Sequence, residues 1–181
     1  MGKTLKEGGR ELELKALEAL RDRIAVYGDQ ADLLHPEWNG QSFDIMAAVL
    51  TRFGEHLDTC MGEYYFKPAA GNPDGGAYFC AVITLKSDVP AERVPELAYA
   101  LSIMNFYIES GCFALNKPTD LLVFRSTRSF PGNTPEETLV RDCVLHMEEA
   151  CGIAEKYCTP VLALAEGSME LPEFIELLQT E

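Results

Sequence analysis

The sequence predicts an α+β protein, in which an antiparallel sheet of about five strands is covered by helices in the chain order α-β-β-β-α-β-β-α. The composition of the 181 residues, 47% hydrophobic and 24% charged, is typical of a folded globular domain. Apolar residues recur at helical spacing near both ends of the chain. Between Ala77 and Thr127 a strand, a helix and a hairpin follow one another. We therefore predict a single domain over residues 1–181, with residues 1–9 frayed and residues 168–181 as a helical tail.

The first third of the chain begins with a helix and leads into the sheet. An apolar stripe predicts a helix from Arg10 to Tyr27, and Gly28 is a typical stop signal. The segment from Asp29 to Gln41 is predicted as a connector, in which Trp38 seals an edge of the core. The stretch from Phe43 to Phe53 fits both a helical stripe and one face of a strand, and we favour the strand.

The centre of the chain carries the clearest strand signals. Aromatic residues predict a strand from Cys60 to Lys67, and Tyr78 to Leu85 returns as its antiparallel neighbour after a loop rich in Gly and Pro. Pro90 and Pro95 mark the start of a helix that runs to about Ile108.

A hairpin and two helices complete the chain. The hairpin strands are predicted from Cys112 to Leu115 and from Leu121 to Thr127. Thr134 and Pro135 open a long helix that reaches Cys158, and Thr159-Pro160 marks a kink or restart. The tail beyond Ser168 has the apolar spacing of one more short helix.

The charge of the chain excludes two classes of partner. Fifteen basic and 29 acidic side chains leave a net charge of −14, which repels phosphate backbones and anionic lipid surfaces. The first ten residues lack the apolar core of a secretory signal, and no apolar run reaches the length of a membrane span. We predict a cytoplasmic protein that binds neither nucleic acid nor membrane.

Six cysteines lie inside apolar periodic segments, so we interpret them as small buried hydrophobic residues rather than as a disulfide framework. The alternative is a metal site on one helix face, formed by Cys143, His146, Cys151 and Cys158. Structural zinc sites favour short Cys-x2-4-Cys knuckles, which this chain lacks. We predict no metal and no cofactor.

The chain offers little material for catalysis. It has three scattered histidines and neither a nucleophile elbow nor a zinc-protease motif. His56, beside Glu55 and Asp58, is the best candidate for a general base, and Cys60 is the nucleophile it would activate. We predict that the protein is not an enzyme and has no catalytic residues. The alternative is a small-molecule-binding or catalytic domain with a pocket near His56.

Several short segments resemble the YbjN-like bacterial family, which is similar in fold to type III secretion chaperones. The segments are Ile83-Thr84-Leu85, Asp88-Val89-Pro90, Pro95-Glu96-Leu97, Asn105-Phe106-Tyr107, Gly111-Cys112-Phe113-Ala114-Leu115 and Leu122-Val123-Phe124-Arg125. The resemblance runs from about Cys60 to Gly167 and is a pattern of core and turn positions. It implies a non-catalytic, regulatory or chaperone-like binding domain of unknown partner, with no catalytic residues to carry over.

Strand alternation predicts a sheet with two apolar faces. One face, which includes Phe79, Ile83 and Phe124, forms the helix-covered core. The opposite face is too apolar for open solvent and gives the candidate partner-binding residues, which are Met61, Tyr65, Tyr78, Val82 and Val123. The first helix or the C-terminal tail is one candidate cover, and a homodimer or another protein docked on that face is the other.

Overall fold

The computed structural model describes residues 3–38, 40–54, 57–69, 74–116 and 118–180. The helices of this part of the chain are α1 (Leu5–Gly8), α2 (Arg10–Val26), α3 (Val94–Met104), α4 (Glu136–Glu166) and α5 (Leu171–Thr180). The strands are β1 (Gln30–Leu34), β2 (Glu37–Trp38), β3 (Gln41–Ser42), β4 (Ile45–Phe53), β5 (Leu57–Pro68), β6 (Ala77–Lys86), β7 (Cys112–Asn116) and β8 (Leu121–Phe130). The side chain of Trp38, which was expected to seal a core edge, lies outside the described part, and so does His56.

Six strands form one antiparallel sheet in the order β1-β4-β5-β6-β8-β7, and β2 pairs with β3 in a separate two-stranded ribbon. The predicted α+β class is confirmed. The strand predicted from Phe43 to Phe53 is also confirmed, as β4.

The predicted connector from Asp29 to Gln41 is wrong, because this segment contains β1 and the β2–β3 ribbon. β1 has the sequence Gln-Ala-Asp-Leu-Leu and lacks a clean alternation of apolar and polar residues. Its strand conformation is stabilised by antiparallel pairing with β4, which no local sequence pattern predicts.

Two predicted helix boundaries also differ. α3 ends at Met104 instead of Ile108, and the side chain of the next residue, Asn105, bonds to the backbone of Phe113. α4 continues through Pro160 to Glu166 instead of ending near Cys158. A proline inside a helix costs about 3 kcal/mol. The turn that follows offsets this cost by burying Val161, Leu162 and Leu164.

The chain divides into two compact units. Unit 1 comprises Met1–Leu50, Met61–Ala81 and Thr127–Glu149, and unit 2 comprises Thr51–Cys60, Val82–Ser126 and Ala150–Glu181. That the chain is a single domain stays a prediction.

Unit 1 buries the apolar stripe of α2 together with side chains from β4, β5, β6 and the first half of α4. Its fully buried members include Leu12, Leu20, Met46, Tyr64 and Phe79. The segment before Arg10, expected to be frayed, includes α1, whose Leu5 is buried. The backbone N–H of Leu5 donates to the Thr134 carbonyl at 2.8 Å, which ties this segment to the start of α4.

Unit 2 is organised around Phe113 on β7. The Phe113 ring packs edge-to-face against Phe124 of β8 and Tyr157 of α4, with centroid distances of 5.0 and 6.4 Å. The Asn105 side chain donates to the Phe113 carbonyl at 2.9 Å and accepts from the Phe113 N–H at 2.8 Å. An amide therefore fills the place of a neighbouring strand at this edge of the sheet.

Candidate functional site

The pairing of β1 with β4 assigns the two faces of the sheet in unit 1. Opposed residues share a face, and the register pairs Leu33 with Met46 and Leu34 with Ile45. Met46 is fully buried, so its face is the inner one. Side chains alternate along a strand, so Ile45 and Leu34 lie on the opposite face, which we call the outer face.

The inner face is covered by helices. Phe79 of β6 is fully buried, and the ring of His146 on α4 packs edge-to-face against it at 5.9 Å. α2 lies beside α4, because the Lys15 ammonium is 3.1 Å from a Glu136 carboxylate oxygen. Neither helix covers the outer face of this unit.

The outer face of unit 1 exposes one large apolar side chain on each of four neighbouring strands. The exposed fractions are 49% for Leu34 on β1, 41% for Val49 on β4, 50% for Met61 on β5 and 42% for Tyr78 on β6. The sheet order β1-β4-β5-β6 makes these strands consecutive hydrogen-bonded neighbours. Leu34 pairs with Ile45 and Val49 with Gln30, so these two side chains lie four residues apart along the β1–β4 ladder, and the exposed apolar area is distributed over the face. Exposed apolar area of this kind makes the outer face a candidate contact surface.

The expectation that water contacts neither face is not met in the single chain, since these four side chains are open to solvent. Polar neighbours shield other apolar members of the face. The Lys67 ammonium lies 5.3 Å from the centre of the Tyr65 ring, and Tyr65 is half-buried. The Thr127 hydroxyl lies 3.9 Å from the Cys80 sulfur, and Cys80 is almost completely buried.

The five predicted partner-binding residues are divided between the two units. Met61, Tyr65 and Tyr78 belong to the outer face of unit 1. Val82 and Val123 belong to unit 2, where Val82 is half-buried and Val123 is 8% exposed. Val123 therefore offers little area to a partner, whereas Met61 and Tyr78 offer the most among the five. That these residues bind a partner stays a prediction.

Sequence analysis missed two members of this surface, Leu34 and Val49. Leu34 lies in the segment that was predicted as a connector. Val49 lies on β4, whose pattern also fitted a helix. The signal that assigns both residues is the β1–β4 register, which is a tertiary property.

A second polar arrangement in unit 1 is centred on Asp44, which is 9% exposed. Arg10 donates two hydrogen bonds of 2.7 Å from Nε and Nη2 to the two oxygens of the Asp44 carboxylate. The His35 Nδ1 lies 2.6 Å from Asp44 Oδ1. The hydrogen bonds from Arg10, followed by those from His35, lower the pKa of Asp44 below its usual value.

Beside this arrangement lies a pocket of about 160 Å³. Its lining residues are Arg10, Glu13, Leu17, Ser42, Phe43, Asp44, Phe66 and Pro68. Glu13 is half-buried, and its side chain makes no hydrogen bond or ion pair with the described residues. Burial, and then the charge of Asp44, raise the pKa of Glu13.

The residues weighed as a metal site are divided between the units. Cys143 and His146 belong to unit 1, and Cys151 and Cys158 belong to unit 2. Burial raises the pKa of the Cys143 thiol and lowers that of the His146 imidazole. Among the residues that the structure describes, no three His, Cys, Asp or Glu side chains form a group that could hold a metal ion. No described helix is long and apolar enough to cross a membrane.

Comparison with known proteins gave one similar structure. No protein-family model matches the chain, and no curated protein matches it. The fold is similar to the crystal structure of YbjN from E. coli, a proposed transcription regulator, with 18% sequence identity and a TM-score of 0.35. The match covers 78% of this chain and 92% of the YbjN chain. YbjN gives its name to the family that the sequence motifs resemble, and a likeness at this level carries no argument about function.

Proposed function

We propose that the protein is a non-catalytic binding module whose outer face in unit 1 docks another protein. The observation that carries the proposal is the set of four apolar side chains on consecutive strands, each between 41% and 50% exposed. Burying such side chains is favourable by about 25 cal/mol for each Å² removed from water.

The negative charge of the chain favours a different protein as the partner over a second copy of the chain. The chain carries a net charge of −14, so two copies repel each other over the distance at which they would meet. The outer face of unit 1 adds the carboxylates of Asp32 and Glu63, and Lys67 supplies the opposite charge. We therefore infer a partner surface that combines apolar side chains with positive charge.

The test compares two tyrosines that receive the same substitution. Tyr78→Glu places a carboxylate on the outer face, whereas Tyr99→Glu places it on α3, where Tyr99 is 58% exposed. The full chain and both variants serve as bait in native lysate of the source cells. Retained proteins are quantified by mass spectrometry, and the affinity of each retained protein is then measured with purified components.

The expected result is one partner, bound by the wild type and by Tyr99→Glu, whose Kd rises about tenfold or more in Tyr78→Glu. Met61→Lys, on the neighbouring strand β5, should also weaken binding of this partner. Thermal unfolding followed by circular dichroism should show that all variants fold. Equal retention by Tyr78→Glu and wild type would exclude the outer face as the docking surface. Sedimentation could instead show that the wild type is a homodimer and that Tyr78→Glu is a monomer. This result would identify a second copy of the chain, and not another protein, as the partner of the outer face.

A further inference from the structure

The pocket between α2 and the sheet of unit 1 is independent of the outer face, because Phe66 lies on the inner side of β5 together with Tyr64. We propose that this pocket binds a small primary amine that carries an apolar ring.

The size of the pocket limits the ligand. Its volume is about 160 Å³. A cavity of about 150 Å³ in another protein holds one benzene ring. The part of the ligand that the pocket holds is therefore a single ring with a short polar arm.

The charge of the pocket selects a cation. The guanidinium of Arg10 is held in two hydrogen bonds by Asp44, so these two charges compensate each other. The carboxylate of Glu13 accepts no hydrogen bond and forms no ion pair within the described residues, and Asp44 repels it more strongly than Arg10 attracts it, so the charge of the pocket is net negative. A half-buried carboxylate without a hydrogen-bond donor is unfavourable, and an ammonium group would supply both positive charge and donors.

The walls of the pocket select an apolar body for that cation. Leu17 and Pro68 supply aliphatic surface, and the rings of Phe43 and Phe66 supply aromatic surface. Phe43 is 37% exposed although it is a large apolar residue, so a ligand ring that covers it removes apolar area from water. Aromatic faces also attract an ammonium group directly.

The experiment titrates the full chain with benzylamine and follows backbone amide resonances by NMR. Benzyl alcohol is the neutral control of the same shape, and benzoate is the anionic control. We expect benzylamine to shift the resonances of pocket residues with a Kd of about 1 mM, and benzyl alcohol to bind about tenfold more weakly. Benzoate should give no shifts at these positions.

The variant Glu13→Gln keeps the size of the side chain and removes its charge, and we expect it to raise the Kd of benzylamine about tenfold. Glu18→Gln, at an exposed position of the same helix, is the matched control and should leave the Kd unchanged. Phe43→Ala should weaken the binding of benzylamine without affecting the fold. The proposal is overturned by equal affinity for benzylamine and benzyl alcohol, by preferential binding of benzoate, or by the absence of shifts at about 10 mM benzylamine.

Discussion

The substitution Gly111→Ala tests whether the start of β7 is as tightly packed as the structure shows. Gly111 has a φ of +88°, in the left-handed region that residues with a Cβ rarely adopt. A Cβ at this position would lie 2.6 Å from Cζ of Phe124 and 2.8 Å from the carbonyl oxygen of Arg125. Phe124 is fully buried and packs against Phe113, so its ring has no free space into which it could move.

Two costs combine in this variant. A residue with a Cβ in the left-handed region costs about 1–2 kcal/mol. An extra methyl group in a packed core costs about 1–3 kcal/mol, because the neighbouring ring and backbone must shift. We expect Gly111→Ala to lower the free energy of unfolding by about 3 kcal/mol, which for a chain of this length is a fall in Tm of about 6–12 °C.

Gly152→Ala is the matched control within unit 2. Gly152 lies inside α4, and a Cβ there would meet no atom within 4 Å. Alanine is a better helix former than glycine by about 1 kcal/mol, so this variant should be more stable than wild type. Thermal and urea unfolding followed by circular dichroism measure both effects. The packing described for β7 is refuted if Gly111→Ala loses less than about 1 kcal/mol, or if the two variants change stability in the same direction.

Two further results are expected. Asn105→Ala removes both hydrogen bonds to the Phe113 backbone and should lower the free energy of unfolding by about 1–2 kcal/mol. Urea titration measures this change. An unchanged midpoint would contradict the role of the Asn105 amide at the sheet edge. The second result concerns pH, because the pKa of Asp44 is lowered from its usual value of 3.8 on folding. The stability contributed by its ionised form is present above that value and is lost as the pH falls through the lowered pKa. The stability advantage of wild type over Asp44→Asn should therefore shrink between about pH 5 and pH 2, and an advantage independent of pH would show that ionisation of Asp44 does not contribute.

The exposed surfaces of unit 1 differ in character. The outer face presents exposed apolar side chains on four strands, with the charged side chain of Asp32 between two of them. The pocket near Asp44 is narrow and contains a carboxylate that accepts no hydrogen bond from the described residues. A protein surface suits the first and a small cation suits the second, so the two proposals are tested by separate variants, Tyr78→Glu and Glu13→Gln.

Local sequence patterns predicted much of the fold. The aromatic run at Tyr64 to Phe66 and the apolar run at Phe79 to Leu85 predicted β5 and β6, because β-branched and aromatic residues favour a pleated, buried backbone. The same alternation placed Met61 and Tyr78 on the outer face. The start of α4 was predicted within a residue or two from Thr134 and Pro135, since proline is tolerated in the first turn of a helix.

Other features had no local signal. Leu34 became part of the outer face only because β1 pairs with β4, and the continuation of α4 through Pro160 depends on the burial of the turn that follows. The Asp44 arrangement joins Arg10, His35 and Asp44, and the Arg10–Asp44 contact spans 34 positions of the chain. No periodicity links residues at such separations.

The sequence by itself determined the α+β class, the central strands and the alternation that makes both faces of the sheet apolar, because these properties depend on the spacing of neighbouring side chains. Tertiary structure alone decided which apolar residues of unit 1 remain in contact with water and which carboxylate lacks a partner. Exposure and pairing depend on side chains that are distant in the chain and are brought together by strand register and helix packing.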